Sequence, residues 1–197
     1  MSPISENVRF AVSCSSNMNR SMEAHSFLEK RKLSIKSFGS GNQVKLPGPA
    51  PDKPNCYEFG TSYDFIYNDL KKKDTQFYTQ NGLLNMLDRN RRIKEAPQKF
   101  QLEKEEFEVI FCLEERVYDQ VLEDLQSRNQ ESGNPVHLIN IDIQDNHEEA
   151  TIGAWLVCDL AQKLNTAHDL DNEIDEILGS FETKHPKRNL LHTICFY

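Results

Sequence analysis

Residues 8–30 constrain this chain more than any other stretch. An apolar strand, Val8 to Ser13, leads into Cys14-Ser-Ser-Asn-Met-Asn-Arg20-Ser21, and a helical segment, Arg20 to Lys30, follows at once. Five residues between Cys14 and Arg20 can curl so that backbone N–H groups converge on a tetrahedral oxyanion. The helix start adds unpaired N–H groups and a positive dipole pole beneath the same anion. Arg20 can return its planar guanidinium over the oxygens in a two-pronged contact that lysine does not match. Cys14 lies at the bottom of this positive bowl, where a thiol is expected to ionise readily. Ser21 is placed to donate a hydrogen bond to the sulfur. The competing reading of Cys14 is a small buried hydrophobe at a strand end; the motif's position at the end of the first strand favours a phosphate site.

The rest of the chain alternates two periodicities. Leu33–Phe38, Glu108–Leu113, Val136–Ile143 and Leu190–Phe196 read as strands. Val117, Tyr118, Val121, Leu122 and Leu125 share one helical stripe; Ala150, Ala154, Val157, Ala161 and Leu164 form a second, and Leu170, Ile174, Ile177, Leu178 and Phe181 a third. Such alternation predicts an α/β fold of the doubly wound type: three layers, α/β/α, around a mainly parallel sheet. Ligands bind such sheets beyond the carboxyl ends of the strands, where the Cys14 loop falls. The whole chain, 1–197, is expected to form one domain. Residues 45–100 interrupt it, with four prolines in Lys45-Leu-Pro-Gly-Pro-Ala-Pro-Asp-Lys-Pro54, expected to run as a stiff extended segment. Helical stretches around Tyr63–Lys73 and Thr79–Arg92 follow. The segment is read as an insert that caps the pocket, the alternative being a linker between helices.

A net charge of -8 gives no basic field, so direct nucleic-acid binding is not expected. No run approaches a membrane span and no secretory pattern opens the chain. Five scattered cysteines offer neither a Cys-x2-Cys pair nor a Cys/His cluster, so neither a disulfide framework nor a metal site is supported, and no cofactor is called for. A reducing compartment follows.

Several weaker signals are set aside. Gly39-Ser-Gly41 lacks the third glycine and the helix of a dinucleotide fingerprint, and His147-Glu-Glu-Ala lacks the second histidine of a zincin. His147 is read as a polar residue in a helix's first turn. Lys71-Lys-Lys73 and Arg89-Asn-Arg-Arg-Ile-Lys94 read by default as solvated helix faces; the second also suits a weak nuclear address or an acidic phosphopeptide. Thiol attack on a serine phosphate needs an acid to protonate the leaving alkoxide. Asp142, read as still within the fourth strand, and Asp145, in the loop after it, are the candidates. Asp145 equally fits a helix N-cap before Glu148 and Glu149.

Taken together, Cys14-Ser-Ser-Asn-Met-Asn-Arg-Ser-Met-Glu-Ala-His25, Val44–Pro54, Tyr78-Thr-Gln-Asn-Gly82, Met86-Leu-Asp-Arg-Asn90, Glu114-Glu-Arg-Val-Tyr-Asp119, Asp142-Ile-Gln-Asp-Asn-His-Glu-Glu-Ala150 and Cys195-Phe-Tyr197 carry a family resemblance over essentially the whole chain. It resembles the eukaryotic RNA polymerase II C-terminal-domain phosphatases, transcription and 3′-end-processing enzymes built on the low-molecular-weight protein tyrosine phosphatase fold. The resemblance implies Cys14 as nucleophile, Arg20 as phosphate-binding arginine, Asp145 as general acid, and Ser15, Ser16, Asn17, Met18, Asn19, Arg20 and Ser21 as the phosphate-binding loop. It implies a phosphoserine–proline substrate in the polymerase tail, chiefly the heptad's fifth position, taken in its cis form. Lys45, Pro47, Leu84 and Met86 would line the proline's apolar wall. A scaffold protein of the cleavage and polyadenylation machinery would be the partner, and the nucleus the location. Two departures from tyrosine-specific relatives stand out: Asn146, not proline, follows Asp145, and no second cysteine lies in Ser15–Asn19. Arsenate reduction would need a cysteine relay that Cys56 and Cys112 do not form; a non-catalytic phosphopeptide adaptor is the remaining alternative.

Overall fold

The computed structural model describes residues 7–197. Its strands are β1 Arg9–Cys14, β2 Ser34–Gly39, β3 Val44–Ala50, β4 Lys53–Tyr57, β5 Val109–Cys112, β6 Pro135–Ile141 and β7 Leu190–Phe196. The helices are α1 Arg20–Lys30, α2 Tyr63–Gln80, α3 Leu83–Ile93, α4 Glu115–Ser127, α5 His147–Asn165 and α6 Leu170–Lys184. Five strands form the main sheet in the order β2-β1-β5-β6-β7, parallel except for β7, which runs antiparallel to β6. The expected three-layer α/β/α class is therefore present. Asp142 lies just past β6 and is exposed, outside the strand that was expected to contain it.

The strand period of two sends alternate side chains to opposite faces. Phe10, Val12, Phe111, Ile139 and Ile141 meet Ala24 and Leu28 of α1, the Ala154–Leu164 stripe of α5, and Ile174, Leu178 and Phe181 of α6. Ala11, Ile110, Cys112 and Leu138 face the other way, onto Val117, Val121 and Leu125 of α4 and onto Phe38, Phe100 and Phe107. All these strand side chains are fully buried, as a sheet covered on both faces requires.

The proline-rich segment is corrected in shape. It folds back as a hairpin, β3 antiparallel to β4, pairing Val44 with Tyr57 and Leu46 with Asn55. The register then shifts before Ala50 pairs with Lys53, so the prolines occupy the irregular stretch and the turn, where a missing N–H breaks no regular ladder. Helix α2 breaks at Asp74, whose backbone is extended and whose carboxylate accepts from Phe77 N–H at 3.0 Å. The second helical stretch starts at Leu83, later than the expected Thr79, because Gly82 turns the chain at φ +83°, a conformation glycine adopts without penalty. Met18 of the Cys14 loop and Met22 of α1 are buried in one cluster with Val44, Leu46, Tyr63, Ile66, Leu83, Met86 and Leu87. The insert thus shares a core with the loop it overlies.

Candidate active site

Cys14 ends β1 at the carboxyl edge of the sheet, paired in register with Gly39 of β2. The loop presses against β2: a Cβ on Gly39 would stand 2.7 Å from the Ser15 carbonyl oxygen and 2.9 Å from Asn17 N. No larger residue fits there. Ser40 and Gly41 donate backbone N–H bonds to the carbonyls of Cys14 and Ser15 at 3.0 Å each.

Asn17 sits at the crest of the loop at φ +55°, in the left-handed region asparagine tolerates, and is fully buried. Its Nδ2 donates to Ser21 Oγ at 2.9 Å, its Oδ1 accepts from Gln98 N–H at 3.0 Å, and its carbonyl accepts from the Tyr63 hydroxyl at 2.7 Å. Ser21 Oγ lies 3.0 Å from Cys14 Sγ. Because its oxygen already accepts the Asn17 amide, the Ser21 hydrogen is free to point at an ionised sulfur. Burial, with Cys14 opposite, pushes the Tyr63 phenol up from its ordinary value, so it remains a donor at neutral pH.

Asn19 is the N-cap of α1, yet its side chain makes no cap bond. Its Nδ2 donates instead to Asp145 Oδ1 at 2.9 Å. The first N–H groups of α1 are left without a side-chain acceptor, as an anion site at a helix start demands. Arg20 is 4% exposed. Its Nη1 donates to Glu114 Oε2 at 2.8 Å and to the Ile143 carbonyl at 2.9 Å, while its buried Nε has no hydrogen-bond partner. Burial alone would lower its pKa; facing Cys14, Asp145 and Glu114 outweigh burial and leave it raised. An unpartnered buried guanidinium N–H costs free energy unless a ligand satisfies it.

Asp145 is exposed at the rim, 3.7 Å from Arg20 Nε. It is not the cap of α5: Asn146 Oδ1 accepts Glu149 N–H at 2.8 Å, and Asp145 is free of that duty. A cavity of about 150 Å³ opens over the loop, lined by Cys14, Ser15, Ser16, Met18, Asn19 and Arg20 on its floor, Asp145, Asn146 and His147 on one side, and Lys45, Leu46, Pro47, Asn81, Leu83 and Met86 on the other. Leu84, expected in the wall, is absent from the cavity lining, where its neighbour Leu83 stands instead; both side chains are buried in the insert's core. Asn17 and Ser21 do not line the cavity; their buried side chains support the loop from behind.

The basic run 89–94 is also corrected. Arg89 is largely buried, pairs with Glu23 and donates to the Met18 carbonyl at 3.0 Å. Asn90, fully buried, reaches the same carbonyl at 2.8 Å. Lys94 donates to the Ser37 carbonyl at 2.6 Å and to Gln98 Oε1 at 2.9 Å, and burial pulls its amine down to about 7. Only Arg92 projects well into solvent. Sequence reasoning missed Glu114, Asn17 as a support, Tyr63 and Gln98, whose partners are remote in sequence and carry no local signal. Cys112 is fully buried, and burial pushes its thiol up. Among the described residues no group of three or more His, Cys, Asp or Glu side chains is placed to hold a metal ion.

Three comparisons agree with this geometry. The family model described as "Ssu72-like protein" matches residues 8–197. The RNA polymerase II C-terminal domain phosphatase ssup-72 of Caenorhabditis elegans is 63% identical over 194 residues, 98% of each chain. The human RNA polymerase II C-terminal domain phosphatase SSU72 is 62% identical over 190 residues, 96% of this chain and 97% of that one. A structure of Drosophila melanogaster Ssu72 with Symplekin, bound to a cis peptidomimetic phosphopeptide of the polymerase tail, superposes with a TM-score of 0.93 at 51% identity, covering 97% of this chain and 99% of the other. A second, of the serine phosphatase of the polymerase II tail from the same organism, gives 0.94 at 53% identity, covering 96% and 100%. With a thiol, a buried arginine and an exposed carboxylate on one cavity, and with likeness along the described chain, this protein belongs to the Ssu72 family.

Proposed function

We propose that this chain hydrolyses phosphoserine in the C-terminal domain of RNA polymerase II through a phosphocysteine intermediate. The observation that carries the reading is the buried, unpartnered Nε–H of Arg20 beside Cys14 and Asp145. Cys14 thiolate attacks phosphorus, forming the S–P bond as the seryl O–P bond breaks. The loop N–H groups and Arg20 hold the nonbridging oxygens, and Asp145 passes its proton to the departing seryl oxygen. Asp145, now a carboxylate, removes a proton from water, whose oxygen displaces the sulfur from phosphorus. Phosphate leaves, and Ser21 steadies the thiolate that returns. Backbone N–H groups and side chains of this protein meet the charges these steps develop, which supports a metal-independent reading.

The apolar side of the cavity, with Leu46, Pro47, Leu83 and Met86, suits a proline held against it. The cis peptidomimetic in the Drosophila relative supports a serine–cis-proline substrate, and its Symplekin complex supports a scaffold of that kind as partner; an RNA polymerase II substrate, as the relatives' names give, supports a nuclear location. In rapid quench, a phosphorylated Cys14 is expected, absent in Cys14→Ser. Asp145→Asn is expected to lose roughly 10²–10³-fold on a phosphoserine peptide and under about tenfold on an aryl phosphate, whose phenol needs less protonation. Equal losses on both substrates would remove Asp145 from the acid role.

A further inference from the structure

The two walls of the cavity belong to different parts of the molecule. Asp145, Asn146 and His147 stand on the carboxyl edge of the sheet and the start of α5; the hairpin and the α2–α3 turn belong to the insert. The insert is tied down firmly behind the loop, through Tyr63, Arg89, Asn90, Lys94 and Gln98. On the side facing the acid loop, one hydrogen bond among the described residues joins residues 142–149 to the insert. His147 Nε2 lies 3.0 Å from the Asn81 carbonyl oxygen. Asn81 ends α2, where a carbonyl has no partner within its own helix. The approach is close: a Cβ on Gly82 would stand 2.8 Å from His147 Nε2.

We infer that His147 is a positioning residue that straps the acid-loop wall to the insert wall and so fixes the width of the substrate cleft. The inference rests on the peptide-phosphatase reading above and deepens it. Phosphate sits in the Cys14 loop whatever the cleft width, because that loop is held from behind. A peptide must touch both walls at once, with its phosphate beside Asp145 and its flanking residue against Leu83 and Met86. Releasing the strap lets the α2–α3 turn move away from Asp145, which weakens peptide contact and leaves a small phosphate ester almost unaffected. In this strap Nε2–H is the donor and the Asn81 carbonyl oxygen the acceptor.

Three proteins test this: wild type, His147→Leu, which fills the space without a donor, and His147→Gln, whose amide can donate from a similar reach. The first measurement is backbone amide exchange at Leu83 and Met86, bonded respectively to the Asn81 side chain and the Gly82 carbonyl. Loss of one such bond is worth about 1 kcal/mol, roughly fivefold. Exchange at both amides is therefore expected to quicken about fivefold in His147→Leu and to return near wild type in His147→Gln. The second measurement is steady-state kinetics on a phosphoserine–proline heptad peptide and on an aryl phosphate. His147→Leu is expected to raise peptide KM by roughly fivefold with kcat little changed, to raise aryl phosphate KM by clearly less than that, and to be rescued by His147→Gln. Unchanged exchange, equal losses on both substrates, or failure of the glutamine to rescue would overturn the strap. Wild-type protein that cleaved the aryl phosphate but not the peptide would sink the substrate reading alone, since the exchange measurement still decides the strap.

Discussion

Asn17→Ala tests how the Cys14 loop is held. The side chain makes two short hydrogen bonds, to Ser21 Oγ at 2.9 Å and from Gln98 N–H at 3.0 Å, and a long contact from the Tyr63 hydroxyl at 3.4 Å. Each short bond is worth about 1 kcal/mol net. Alanine must also occupy φ +55°, at a cost of about 1 kcal/mol for a residue without a local polar side chain. The sum is roughly 3 kcal/mol of folding stability, or about 6–12 °C in Tm for a chain of this size. Activity suffers separately, because Ser21 loses the donor that aims its own hydrogen at Cys14 Sγ. One misaimed hydrogen bond to a charged sulfur is worth about 1.5–3 kcal/mol, so kcat is expected to fall roughly 10–100-fold on aryl phosphate. Asn17→Gly separates the parts: it relieves the backbone strain, recovering about 1 kcal/mol of stability, and leaves kcat as low as in alanine. Thermal denaturation and steady-state turnover read both quantities. An alanine variant within about 0.5 kcal/mol and twofold of wild type would refute the argument, and so would a glycine variant with restored kcat.

Two further expectations concern burial. His25, 8% exposed and bonded at Nδ1 to Ser37 Oγ at 2.8 Å, is pulled down to about 4 by burial and by Lys94. Between its unfolded value near 6.5 and about 4, the unfolded chain binds the proton that the folded state refuses. Stability therefore falls with pH across that window, by on the order of 3 kcal/mol, and this contribution levels off below it; urea unfolding at stepped pH, compared with His25→Gln, isolates the slope. Leu84→Ala is expected to cost about 2–4 kcal/mol with peptide KM unchanged, and Leu83→Ala to raise peptide KM; the reverse pattern would restore Leu84 to the cavity wall.

How far the chain could be read depended on how local each signal was. The Cys14–Ser21 segment is a local motif: strand, loop and helix follow one another, so the spacing alone places thiol, arginine and serine. The period of two in Phe10-Ala-Val12 and the stripes of α4, α5 and α6 are local too, and they yield the layers. The hairpin was not legible because four prolines argue against pairing; only the register shift between Leu46 and Ala50 lets them stay. Arg89 looked solvated because its partners, Glu23 and the Met18 carbonyl, lie 66 and 71 residues away. Asp145 could not be separated from a cap until Asn146 was seen to fill that role. Leu83 and Leu84 differ by one step of a helix, about 100°, which no pattern in so short an amphipathic segment resolves.

The insert explains why these remote partners matter. The carbonyls on the back of the Cys14 loop need donors. Tyr63 serves Asn17, Arg89 and Asn90 serve Met18, and Ser40 and Gly41 serve Cys14 and Ser15. Most of these donors come from the same segment whose Leu46, Pro47, Leu83 and Met86 line the cavity. Met86 and Arg89 are three residues apart on α3, close to one turn, so one helix touches the cavity with one side chain and the loop's back with the other. A shift of the whole of α3 would alter the wall and loosen the phosphate loop together, whereas a movement confined to the α2–α3 turn would alter the wall alone. Substrate contact and loop geometry are coupled through rigid packing, and His147 sets the one margin of the insert that this packing leaves free.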